Sequence, residues 1–153
     1  MNKTISIPEW HQLAERGAAP PVRIQLNGGS MAPLIRMNRD YVTIVQLGEI
    51  PTIGDIVLFY EPCTGRYIVH RIWDIQNGRI LTWGDNCPGP DGWQPREVVW
   101  GKIAQIERGK RIIIPEPEKG IKWARFWHKA GKPYRFLKTY AAAVKRRVKK
   151  LIS

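Results

Sequence analysis

Arg66-Tyr-Ile-Val-His-Arg-Ile-Trp-Asp-Ile75 is the stretch on which the fold turns. β-Branched and aromatic residues dominate it, and no glycine or proline interrupts it, which predicts a strand. Side chains alternate across a strand. Tyr67 and Val69 then share one face, and Ile68, His70 and Ile72 share the other. Gln76-Asn77-Gly78 follows as a tight hairpin turn, and Arg79–Trp83 reads as the returning strand. Similar runs lie on either side: Val22–Leu26, Tyr41–Leu47, Asp55–Tyr60, Val98–Ile106 and Arg111–Ile114. Seven short strands at this spacing predict an all-β barrel or sandwich. Between Gly84 and Val98 lies a loop containing three prolines and three glycines, and a loop of that length in a compact domain usually carries function.

The ends of the chain have a different texture. Ser6 to Gly17 reads as a short helix, with Ser6 or Ile7 as cap, Pro8 opening it and Gly17 closing it. After Pro115 helix formers prevail, with one helix expected near Ile121–Ala130, a break at Gly131-Lys132-Pro133 and a second helix near Tyr134–Ile152. The expected organisation is an N-terminal helix over 1–17, a β domain over 18–115 and a basic, aromatic helical tail over 116–153.

Charge follows the same division. From Arg108 onward there are 15 Lys/Arg and 2 Asp/Glu, a net +13, whereas the preceding residues carry 10 and 11, a net −1. A near-neutral body with a cationic tail suggests chemistry or binding in the body and an anionic partner for the tail. The 153 residues suit one domain with a real core. No apolar run approaches the roughly 18 to 20 residues of a membrane-spanning helix, and Met1 to Pro8 does not read as a secretory signal. The default expectation is a cytoplasmic chain. Cys63 and Cys87 are too few for a disulfide framework, and no Cys/His cluster has zinc-ligand spacing, so neither a metal nor a cofactor is expected.

The chemistry-bearing candidates are few. His70 sits among β-branched neighbours, where partial desolvation favours a neutral ring able to accept a proton. Asn27-Gly-Gly-Ser-Met-Ala-Pro33 can form a turn that offers the Ser30 hydroxyl and amide to one cleft, since Gly28 and Gly29 can adopt backbone angles closed to other residues. A turn role for Asp55 and a salt bridge for Arg71, within its strand or to Asp85, are the readings given to those residues.

Four stretches together resemble the boxes of type I signal peptidases. Gly29-Ser-Met-Ala-Pro33 is similar to their nucleophile box, Gly54-Asp-Ile-Val57 to their G-D-[IV]-V box, Val69-His-Arg-Ile72 to their base box and Gly84-Asp-Asn86 to their G-D-N box. The order matches, over roughly Arg23 to Lys102. The resemblance implies a mainly β fold, a coiled β-sheet catalytic domain of the signal peptidase type shared with LexA-type repressor proteases. It also implies a serine endopeptidase cleaving signal- or leader-like peptides with small residues before the cut.

Histidine stands where most bacterial members have lysine, as in the histidine-base branch. By that resemblance Ser30 is the nucleophile, His70 the base and Asp91 the carboxylate that orients it, with Asp85 as the alternative. The oxyanion would rest on the Ser30 amide. Gly28 stands where many relatives supply a serine hydroxyl, so a slow enzyme is expected. Trp83 and Trp93, which flank the aspartate loop, are candidate walls of the substrate cleft. These peptidases usually carry an N-terminal anchor, and none is legible here.

In the tail, Trp123 and Trp127 stand among cations, and Leu137, Tyr140, Val144, Val148 and Leu151 follow helical spacing. That pattern fits peripheral association with an anionic membrane surface, ranked above packing on a partner, with nucleic acid last. The competing functional reading is a non-catalytic or self-processing regulator on the same β-fold, its tail binding membrane or nucleic acid.

Overall fold

The computed structural model describes residues 5–48 and 50–131. The second helix expected in the tail therefore lies outside the described residues. Contacts divide the chain into two units, Met1–Ile121 and Lys122–Ser153.

The first unit is mainly β. Helix α1 (Ile7–Glu15) precedes strands β1 (Val22–Ile24), β2 (Tyr41–Gln46), β3 (Ile56–Glu61), β4 (Arg66–Gln76), β5 (Arg79–Trp83), β6 (Trp93–Pro95), β7 (Val99–Arg108) and β8 (Arg111–Ile113). All belong to one antiparallel sheet in the order β1-β2-β7-β3-β4-β5-β6, with β8 paired to β7. The sheet curls into a half-barrel. It is neither a two-sheet sandwich nor a closed barrel, because β1 and β6 end the path without pairing to each other.

Residue alternation in β3 explains how the sheet carries apolar packing on both faces. Ile56 and Leu58 join Trp10, Met31, Ile35, Val42, Ile44 and Ile106 in one core cluster. Val57 and Phe59 join Ile72, Ile80 and Val99 in the other. β4 is buried from Val69 to Ile72, so the predicted base lies inside the packed body.

Ser6 caps α1 through a capping box with Glu9. Trp10 fixes the helix on the sheet: its ring would sit 2.7 Å from a Cβ at Gly101 of β7, and its indole N–H donates to the Pro20 carbonyl at 2.7 Å. The helix thus packs on the β body. The hairpin expected at Gln76–Gly78 forms with Asn77 and Gly78 both at positive φ.

Arg108 at the end of β7 ties down the chain after the serine turn. It donates to both oxygens of the buried Asp40 carboxylate, at 3.0 and 2.6 Å, and to the Leu34 carbonyl. These hydrogen bonds hold Asp40 below the usual carboxylate range. A helix covers 117–131, starting four residues before the expected one.

Candidate active site

β4 and the loop after β5 build the site. His70 pairs with Val57 of β3, and Arg71 pairs with Ile56, which locks both residues mid-sheet. On the other side Arg71 pairs with Trp83 and Ile72 with Thr82. The chain then leaves β5 and returns, and the Asp91 amide donates to the Thr82 carbonyl at 2.9 Å. This return delivers the Asp91 carboxylate to His70, with Nδ1 to Oδ2 at 2.7 Å. The same Oδ2 accepts from the buried Thr82 hydroxyl at 2.7 Å, and Gln94 donates to Thr82 Oγ1 at 3.4 Å.

A carboxylate can only accept, so Nδ1 donates to it, and in the neutral ring this tautomer leaves the lone pair on Nε2. Nε2 faces a cavity of about 700 Å³ lined by Ser30, Gly28, Leu26, Tyr67 and Cys87 among others. Gly84 brings the serine turn and the base together. A Cβ there would lie 2.8 Å from both His70 Nε2 and the Ser30 carbonyl oxygen, and 2.6 Å from Cys87 Sγ. Only a glycine leaves room for these three groups to converge.

Each residue of Gly84-Asp85-Asn86 has its own task. The Asn86 amide donates to the Ser30 carbonyl at 2.7 Å, and its side chain donates to the Gly29 carbonyl at 3.1 Å. Met31 and Ile35, both 1% exposed, anchor the far side of the turn. Asp85 pairs with Arg71. Its carboxylate takes two hydrogen bonds from Arg71, at 2.9 and 2.8 Å, in a fully buried pair.

Arg71 also donates to the Gly54 carbonyl at 3.0 Å. Gly54 has φ +98°, and a Cβ there would lie 2.0 Å from the Pro117 carbonyl oxygen, so the second box needs its glycine. Asp55 closes the turn before β3 by accepting from the Thr52 amide and hydroxyl. The four sequence stretches thus meet: Gly54 and Asp85 hold Arg71, Asn86 holds the serine turn, and Asp91 holds His70.

Several expectations need correction. Gly28 and Gly29 are not among the glycines at positive φ, and a Cβ on either would meet nothing within 4 Å. Neither conformation nor space demands glycine there. Trp83 packs at a tilt against Trp73 with ring centroids 4.5 Å apart and donates to the Cys87 carbonyl, so it braces the loop. Neither it nor Trp93 lines the Ser30 cavity. The loop from 84 to 98 is shorter than expected because β6 pairs with β5 inside it.

The sequence gives no site role to Thr82, Cys87 or Gln94. A polar Thr82 on the inward side of an otherwise apolar strand was the available signal. Cys87, directly after the G-D-N box, offered only its position.

No protein-family model matches the chain, and no curated protein matches its sequence significantly.

Proposed function

We propose that the chain is a serine endopeptidase of the signal peptidase type, in its histidine-base branch. The observation that carries this reading is His70, with Nδ1 held by Asp91 and Nε2 turned toward the cavity that Ser30 lines. Ser30 Oγ attacks the scissile carbonyl carbon, and His70 Nε2 takes the hydroxyl proton. Asp91 holds the imidazole in one tautomer and stabilises the imidazolium. His70 then protonates the leaving amine, and a water activated by the same nitrogen releases the acyl group from Ser30. The Ser30 amide is the proposed oxyanion donor. By its resemblance the site takes peptides with small residues before the cut.

The direct test offers such leader-like peptides to the wild type and to Ser30→Ala. Wild-type cleavage that falls on the order of 10³-fold or more in the variant is expected. Equal cleavage by both would remove Ser30 from the mechanism.

Gly28 supplies a second prediction. It lines the cavity, and nothing within 4 Å opposes a side chain there. Gly28→Ser therefore adds a hydroxyl donor near the oxyanion position. Single oxyanion donors are worth about 10² to 10³ in kcat where perfectly placed. An imperfectly placed hydroxyl should raise kcat about tenfold with KM nearly constant. Steady-state kinetics on one peptide check this, and a fall in kcat would count against the assigned oxyanion position.

For the second unit we propose contact with an anionic membrane surface. Trp123 and Trp127 stack with centroids 5.7 Å apart, Phe126 is 68% exposed, and Lys122 and Lys129 flank them on the same helix. Aromatic rings at headgroup depth beside cations are the pattern of interfacial helices. Co-sedimentation with vesicles containing anionic lipid is expected, weakened several-fold by Trp123→Ala with Phe126→Ala. Equal sedimentation of both chains would discard the reading. Among the described residues no helix is long and apolar enough to cross a membrane.

A further inference from the structure

Cys87 is the nucleophile in this cavity that the proposed peptidase chemistry leaves unused. Its Sγ lies 3.8 Å from His70 Nε2, the nitrogen opposite the one held by Asp91. His70 is 6% exposed, so its Nε2 is sheltered from bulk water beside the thiol, and both residues line the same cavity. The thiol is not alone: thiol, imidazole and carboxylate stand in sequence, the arrangement that activates a sulfur nucleophile. It is also not engaged in a disulfide.

We propose that Cys87 is a thiol-exchange site for low-molecular-weight disulfides, and that its adduct closes the Ser30 cavity. His70 Nε2 takes the thiol proton, and the Cys87 thiolate attacks one sulfur of the disulfide R–S–S–R. A Cys87–S–S–R bond forms as the R–S–S–R bond breaks, and the departing R–S⁻ receives the proton from His70. A reducing thiol reverses the step by the same exchange. The adduct grows from a sulfur that converges on Gly84 with His70 Nε2 and the Ser30 carbonyl. It therefore fills the space a scissile peptide would need. Thiol exchange does not depend on Ser30 acting as a nucleophile, so the two readings stand or fall separately.

Cys63 is an internal control, being exposed at the β3–β4 connection, outside the residues lining this cavity. The full chain is incubated with hydroxyethyl disulfide, and adducts at both cysteines are timed by peptide mass spectrometry. Cys87 should react at least about fivefold faster than Cys63 despite its lower exposure. His70→Ala should abolish that advantage, and Asp91→Asn should reduce it, which gives a second variant if the first does not fold. Wild-type cleavage of a test peptide should be lost on modification and return with dithiothreitol. Cys87 reacting no faster than Cys63, or an advantage unchanged in both folded variants, would overturn the proposal. These labelling rates are readable even if no peptide is ever cleaved.

Discussion

Asp91→Asn should leave the fold standing and lower kcat on the order of 10²-fold or more. The Asp91 carboxylate accepts from His70 Nδ1 at 2.7 Å and from the Thr82 hydroxyl at 2.7 Å. It thereby favours the neutral tautomer with its proton on Nδ1 and its lone pair on Nε2. A carboxamide of the same shape brings an N–H₂ donor. The amide oxygen can take the place of Oδ2 and accept from both Thr82 and Nδ1, so both hydrogen bonds survive and the negative charge is lost. Without that charge the imidazolium formed when His70 takes the Ser30 proton is no longer stabilised. The loss therefore appears in kcat, with KM changed little, because no residue contacting the peptide is altered. An unchanged kcat in a folded variant would detach Asp91 from the reaction.

Asp85→Ala should act on stability instead. Asp85 is fully buried, and its partner Arg71 is 1% exposed. Removing the carboxylate strands a guanidinium that still meets the Gly54 carbonyl but has lost two charged hydrogen bonds. Breaking one partner of a buried pair costs about 3 to 5 kcal/mol. Small domains hold only about 5 to 15 kcal/mol in total, so urea unfolding should shift markedly. The double replacement Arg71→Met with Asp85→Leu should recover much of the loss, since two apolar side chains of similar bulk need no partner. Equal destabilisation by the single and double variants would mean that packing around Arg71, rather than charge pairing, sets the cost.

The contrast between these aspartates shows what the sequence can and cannot convey. Strand placement was legible because β-branched runs and the Asn77-Gly78 turn act locally, and β4 and β5 fall within a residue of expectation. Asp91 was placed at His70 through family spacing, and the structure brings the two together through a chain return at Thr82 that no local pattern announces. β6 escaped because three residues ending in Pro95 carry no alternation. The glycine argument at Gly28 and Gly29 failed for a different reason. A glycine pair permits unusual backbone angles without requiring them, whereas Gly54 and Gly84 are required by close approaches from distant segments. Cys87 stayed unread because its meaning is its distance to His70, which only the folded loop sets.

The central claim is that Ser30, activated by His70, forms the covalent bond to substrate. Rapid quenching of the full chain with an activated ester of a short alanine-ending peptide, followed by peptide mass spectrometry, examines it directly. The expected result is an acyl group on Ser30, absent from Ser30→Ala and strongly slowed in His70→Ala. Acyl transfer to Cys87 instead, or peptide cleavage continuing in Ser30→Ala, would contradict the account.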